Sequence, residues 1–330
     1  MQIHRPMNMT ILEIKFNNET YNFFVDSGMP FSFSTNHKQI HEIPAEYMVQ
    51  KQPMPLGHPP RGINISDLER LSGVKLAGFL GNQFLSQANL RFDLSNNYLG
   101  FEPQIPDWTP DFVLPLQGWV TELECKDGGN DGQQSWFIDT GSYLSFRWHN
   151  NARLHPDWSP NWKLPTFMGD ARFDFYPHCP IFHNHNLLTE VTTALIHAPG
   201  PHYAGMLGAN FLVQFDCYFD FSSKQLRLKK NHRDVQVWEN PSTSYQSCGF
   251  QFEFVWKDNK RQLRIAHHLV QNTHIPPVGT IFSIPNLDLT DMFCAYKVWE
   301  YLFPTHRNPI SIQVADQIIE LPTHPLFIPK

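Results

Sequence analysis

Two acid-hydroxyl-glycine triplets, Asp26-Ser27-Gly28 and Asp139-Thr140-Gly141, are the residues best placed to do chemistry. Each follows three apolar strand formers, Phe23-Phe24-Val25 and Trp136-Phe137-Ile138. Taken singly, such a triplet describes a strand ending in a turn, where Asp accepts local N–H bonds and Gly supplies backbone freedom. The pair offers more. Two carboxyls about 3 Å apart in a weakly solvated site cannot both ionise; they share one proton and titrate as a unit. One can act as general base on a water while its protonated partner polarises a carbonyl. That chemistry needs an apolar strand before each acid and a hydroxyl to fix the loop. It also needs a glycine that lets two loops approach without Cβ clashes. Carboxylates meant for a metal would recruit His or further acids nearby. Neither triplet has such neighbours, so no metal and no organic cofactor are expected.

The elements that must position these acids are written twice. Gly78-Phe79-Leu80-Gly81-Asn82-Gln83-Phe84-Leu85 is echoed 127 positions later by Gly205-Met206-Leu207-Gly208-Ala209-Asn210-Phe211-Leu212. Phe92-Asp93 and Phe219-Asp220 keep that spacing, whereas the triplets lie 113 apart, so the second copy carries fourteen extra residues. A hairpin is expected before each triplet. Ile11 to Phe16 turns at Asn17-Asn18 into Tyr21 to Val25, and Trp119 to Cys125 turns through a Gly/Asp-rich stretch into Trp136 to Ile138. Pro103, Pro106, Pro110 and Pro115 punctuate the join.

This arrangement resembles the aspartic proteases over roughly residues 8–230, on the two triplets and on Phe79-Leu80-Gly81 and Met206-Leu207-Gly208. Each copy looks like a retropepsin-type subunit, and the fused pair like a pepsin-style two-lobed enzyme. The resemblance implies a mainly β fold with duplicated lobes at 1–106 and 107–230, and a catalytic dyad of Asp26 and Asp139. Ser27 and Thr140 would interlock the loops, and Gly28, Gly141 and Ser142 would support the dyad floor. It also implies cleft-covering flaps, with Leu56-Gly57 and Met168-Gly169 as the candidates. Met29-Pro30 stands where the family has a small residue, and neither flap shows a clear tyrosine. Those departures motivate the competing reading, a catalytically inactive peptide-binding protein.

Residues 231–244 read as a polar linker ending near Pro241. Beyond it, Phe250 to Phe254 and Gln262 to Val270 alternate like strands. Gly279 to Asp288 is strand and turn, Asp291 to Phe303 has helical spacing, and Ile310–Val314 with Ile318–Leu321 completes a hairpin. The order over 245–330 is similar to a small α+β PDZ-like domain, as several bacterial aspartic proteases carry. Cys248-Gly249-Phe250 would sit at the loop that holds a peptide's terminal carboxylate, beside an edge that accepts a strand.

Composition narrows the partners. Among 330 residues, 25 basic against 31 acidic side chains leave a net charge of −6, so no basic footprint for nucleic acid exists. No apolar run reaches membrane-spanning length. No signal peptide is visible, which makes cytoplasm the default expectation and leaves the periplasm or secretion as alternatives. Five widely spaced cysteines without a C-x-x-C pair read as buried thiols rather than a disulfide framework. His183-Asn184-His185 and His267-His268 lack partners that would complete a metal site and read as ordinary polar histidines. The expected partner is a protein or peptide substrate, with a C-terminal peptide ligand at the PDZ-like domain. One chain supplying both half-sites makes a monomer sufficient.

Overall fold

The structure is a computed structural model that describes the chain apart from residues 6–7, 36–39, 61–62, 95, 126–131, 149–157, 161–162, 167–168, 173, 197–201, 232, 235–238, 240–245, 272–273, 292–293, 306–307, 326 and 330. Strands hold 47% of residues and helices 11%, so the fold is mainly β, as the wealth of Phe, Pro and turn residues leads one to expect. The chain forms two compact units. One contains Met1–Arg61, Leu76–His155 and His178–Asn240; the other contains Gly62–Lys75, Pro156–Pro177 and Pro241–Lys330.

The first unit begins with β1 (Ile3–His4), β2 (Ile11–Phe16) and β3 (Glu19–Val25). The β2–β3 hairpin turns on Asn17 and Asn18, whose φ of 52° and 62° give the left-handed pair that a two-residue loop requires. Next come β4 (Phe33–Ser34), β5 (Glu42–Ile43) and β6 (Met54–Pro55). After helix α1 (Ile65–Ser72), which belongs to the second unit, the chain returns as β7 (Gly78–Leu80), α2 (Asn82–Leu85), β8 (Leu90–Asp93) and β9 (Tyr98–Phe101). Strand β3 pairs antiparallel with β2 and parallel with β7, and β7 pairs antiparallel with β4.

The second half opens with β10 (Phe112–Pro115), β11 (Val120–Cys125), β12 (Gln134–Ile138) and β13 (Ser145–Trp148). Strands β14 (Trp158–Pro160), β15 (Lys163–Thr166) and β16 (Gly169–Arg172) lie in the second unit. The chain continues through β17 (Asp174–His183), β18 (Asn186–Ile196), β19 (Gly205–Leu207), α3 (Ala209–Leu212), β20 (Phe215–Asp220) and β21 (Gln225–Lys230). The order β11-β12-β19-β13-β18-β17 closes through β17 pairing back onto β11, making a six-stranded barrel. Its β11-β12-β19-β13 portion repeats the directions of β2-β3-β7-β4, and the register repeats with them. Val25 faces Leu80 as Ile138 faces Leu207, and Phe33 faces Phe79 as Phe146 faces Met206. Gly81 and Gly208, which open the short helices, share one conformation, φ −89° with ψ −169° and φ −90° with ψ −170°.

A third sheet, β10-β21-β20-β8-β9, mixes strands from both halves. At its centre β8 and β20 pair antiparallel with Arg91 opposite Tyr218. Those two residues are 127 positions apart, the spacing of the sequence repeat. Phe92 faces Cys217, the counterpart of Leu90, while Leu90 faces Phe219, the counterpart of Phe92. The pairing is thus reciprocal about Arg91 and Tyr218. Phe92, Phe219 and Trp119 pack in the core beside it. The expected linker is partly packed into this unit. Glu239 is fully buried between Arg5 and Arg233 at 3.2 and 2.8 Å, and its carbonyl accepts from Asn8 Nδ2 at 2.6 Å.

The second unit is built on β22 (Gln246–Ser247), β23 (Phe250–Lys257), β24 (Lys260–His268), β25 (Ile281–Phe282) and α4 (Ala295–Leu302). It ends in β26 (Ile310–Val314), β27 (Gln317–Leu321), β28 (His324–Pro325) and β29 (Phe327–Pro329). Strands β23-β24-β25 form one sheet, and Phe250, Phe254, Leu263, Ile265, Val298 and Leu302 fill the core. Helix α4 begins four residues later than the pattern suggested, directly after Cys294. Helix α1 was not anticipated. It stops at Gly73, whose φ of 69° closes the last turn in the left-handed region and whose N–H reaches Glu69 O. It lies beside β23, where Arg70 pairs with Glu253 at 3.2 Å and Arg261 donates to Gly73 O at 2.6 Å. No helix among the described residues is long and apolar enough to cross a membrane.

Candidate active site

Both acids stand where a strand stops, β3 buried along its last five residues and β12 burying Trp136 and Ile138. The backbone N–H of Asp26 still donates to Leu80 O at 3.0 Å, and that of Asp139 to Leu207 O at 2.9 Å, which are the last rungs of the two parallel pairings. The chain then folds back. Met29 N–H reaches Asp26 O at 3.1 Å and Ser142 N–H reaches Asp139 O at 3.2 Å. Met29 O in turn accepts from Asn82 N–H at 2.6 Å, and Ser142 O from Ala209 N–H at 2.7 Å. Met29 is buried. Its backbone makes the bonds that Ser142 makes in the other half, so the larger side chain does not disturb this turn. Ser142 additionally donates its hydroxyl to Leu144 O.

The two loops are locked by reciprocal hydroxyl bonds. Ser27 N–H donates to Thr140 Oγ1 at 2.9 Å, and Thr140 N–H donates to Ser27 Oγ at 3.0 Å. Ser27 Oγ donates to Ile138 O at 2.8 Å, and Thr140 Oγ1 to Val25 O at 3.1 Å. Each hydroxyl thus accepts one bond and gives one, which satisfies four buried backbone groups across the seam. Ser27 and Thr140 are both buried. A hydroxyl is the smallest group able to do this twice, which explains Ser and Thr at these positions.

The carboxyls meet above this lock, with Asp26 Oδ1 and both Asp139 oxygens gathered around the same point beside Gly28. Gly28 N–H donates to Asp26 Oδ1 at 2.9 Å, and Gly141 N–H to Asp139 Oδ1 at 3.0 Å. The glycines leave the room the acids occupy. A Cβ on Gly28 would lie 3.1 Å from both Asp139 oxygens and from Asp26 Oδ1; one on Gly141 would lie 2.3 Å from Asp26 Cγ. Burial, then the neighbouring Asp139 charge, pushes the Asp26 carboxyl well above the usual carboxylate range. Burial also raises Asp139, against the opposing pull of the Gly141 N–H and of Asp26. The pair therefore retains a proton where isolated carboxyls have lost theirs.

Sequence reasoning missed part of the scaffold. Ser32 Oγ accepts Gly81 N–H at 3.0 Å, and Ser145 Oγ accepts Gly208 N–H at 3.1 Å, tying each acid loop to the following helix. Asn210, fully buried, accepts from Ser145 N–H and Oγ and donates to Thr192 O. The triplet spacing extended six residues past each acid aligns Ser32 with Ser145 and would have found that pair.

The remaining expected residues are placed as follows. Leu56 and Gly57 are zipped into backbone pairing instead of forming a hairpin tip. Leu56 N–H reaches His41 O at 2.8 Å, while Gly57 gives its N–H to Ser32 O and accepts from Ser34 N–H. Gly169 opens β16 opposite Thr166 in a hairpin of the second unit, and Met168 lies outside the described residues. In the expected carboxylate loop, Cys248 and Phe250 are buried. Cys248 N–H donates to Leu302 O at 3.2 Å and Gly249 N–H to Ser247 Oγ at 3.0 Å. His185 pairs with Glu124 at 3.0 Å, and no cluster of metal-ligating side chains exists among the described residues. No family model matches this chain, and no curated protein matches it either.

Proposed function

We propose that the chain is an aspartic endopeptidase with two duplicated half-sites. The observation that carries this reading is the hydroxyl-locked meeting of Asp26 and Asp139, both raised above the ordinary carboxyl range. The repeated strand register and the reciprocal β8–β20 pairing support the duplication. The shared proton sets the chemistry. The ionised carboxyl takes a proton from a water lying between the acids, and that water attacks the scissile carbonyl carbon. The protonated carboxyl gives its proton to the carbonyl oxygen, so the tetrahedral intermediate is a neutral diol. Its collapse transfers a proton to the departing amine and restores the shared hydrogen, with no acyl-enzyme formed.

A raised pair keeps its working protonation state into mildly acidic solution, where hydrolysis should be fastest. A mixed peptide library incubated from about pH 3 to pH 8 and read by mass spectrometry tests the assignment. New termini made by the native chain and not by Asp26→Asn or Asp139→Asn support it; equal cleavage by either variant removes it. Met29 keeping the turn bonds of Ser142 weighs against the non-cutting alternative.

The order of strands and helix over 246–321 supports a PDZ-like reading of the C-terminal segment. Two observations weigh against its capturing a terminal carboxylate. The N–H groups of Cys248 and Gly249 are already spent within the chain, and α1 lies alongside the strand a peptide would extend. A binding titration with C-terminal peptides should therefore show no saturable site.

A further inference from the structure

We propose that Cys125 and Cys179, whose sulfurs lie 3.0 Å apart across the seam that closes the six-stranded barrel, form a dithiol site that a peroxide converts to a disulfide. All five cysteines are free thiols and all are buried, yet the chain brings these two together from positions 54 residues apart. The ladder explains how. Cys125 ends β11 opposite Ile181 of β17, so Cys179 is its diagonal neighbour on the same face. His178, immediately before Cys179 in β17, has a left-handed φ of 56°. A second group is built against the pair. Arg147, fully buried on β13, donates its Nη1 to Cys125 Sγ at 3.0 Å and lies over the Trp136 ring. A guanidinium donating to sulfur stabilises negative charge there, and the thiolate is the form that attacks an oxidant.

The chemistry balances with a peroxide as the oxidant. The Cys125 thiolate attacks one peroxide oxygen, the O–O bond breaks, and hydroxide leaves, giving the sulfenic acid. The Cys179 sulfur then attacks that sulfenic sulfur, displacing hydroxide and losing its own proton, so water is the second product. The sulfurs lose two electrons and the peroxide gains two. The closed loop would contain β12 and the Asp139-Thr140-Gly141 half-site.

The test uses the full chain and hydrogen peroxide. Thiols titrated after denaturation should fall from five to three, and peptide mapping should join the peptides carrying Cys125 and Cys179. The thermal midpoint should rise by several degrees over the reduced protein. Cys179→Ser should lose the cross-link and leave a sulfenic acid at Cys125 that a dione probe traps. Arg147→Lys, which keeps a charge but shortens the reach, should slow cross-linking at least about tenfold. The proposal is overturned if the thiol count stays at five, if oxidation stops on a single cysteine in the native chain, or if the link forms to another cysteine.

Discussion

Replacing Gly141 with alanine should disable the proposed site, whereas the same change at Gly28 should be mild. The contrast follows from distances. A Cβ at Gly141 would lie 2.3 Å from Asp26 Cγ and 2.4 Å from its Oδ1, where carbon atoms ordinarily approach to about 3.5 Å. The Asp26 carboxyl must then shift by roughly 1 Å away from the added carbon, and a displacement of that size costs on the order of 100-fold in rate, or about 2.7 kcal/mol of transition-state stabilisation. A Cβ at Gly28 would meet three carboxyl oxygens at 3.1 Å, which a few tenths of an ångström relieves, so the loss should stay under about tenfold. The measurement is kcat/KM on a peptide the native chain cleaves, with circular dichroism to confirm folding. A readout without substrate runs beside it. Displacing the Asp26 carboxyl should weaken the pH dependence of thermal stability in Gly141→Ala more than in Gly28→Ala, burial of both acids remaining. If Gly141→Ala cleaves within about threefold of the native chain, or Gly28→Ala is the worse of the two, the spacing argument fails.

Three further outcomes follow from the same site and its supports. Asp26→Asn and Asp139→Asn should each lower cleavage at least about 1,000-fold while raising the thermal midpoint near pH 7. A carboxyl raised by folding stabilises the fold most below its unfolded range and loses that contribution as pH climbs through its folded range, so the advantage of Asn should vanish near pH 3. Ser27→Ala removes a donor to Ile138 O and an acceptor for Thr140 N–H, which should cost about 2–4 kcal/mol in urea unfolding; a change under about 0.5 kcal/mol would mean the lock contributes nothing. Glu239→Ala removes the carboxylate between the largely buried Arg5 side chain and the part-exposed Arg233 and should cost about 3–5 kcal/mol by the same assay, a prediction that fails if unfolding is unchanged.

The two acid loops were legible because their demands are local. A hydroxyl after an acid, a glycine after that, and an apolar strand before them are each visible in a few residues, and the two offsets carried the register. What escaped the sequence was whatever depends on contacts between distant segments. Nothing around Leu56-Gly57 announces that both backbone groups of Gly57 would be taken by Ser32 and Ser34. Helix α1 has only eight residues, too few to stand alone in water, and it exists through packing on β23 that its own pattern does not reveal. Glu239 looked like linker polarity because its two arginines lie 6 and 234 positions away. The cysteines looked scattered for the same reason, since only the barrel's closure places two of them side by side.

The central pairing of β8 with β20 joins strands that precede and follow the Pro-rich join near residue 106. Neither stretch can complete its own sheet, and the Ser27–Thr140 lock likewise needs one partner from each. The tether between them therefore does more than connect: it holds two mutually dependent pieces at high effective concentration. Cut there, the polypeptide would become an assembly problem, its acids brought face to face only as often as two separate fragments find one another.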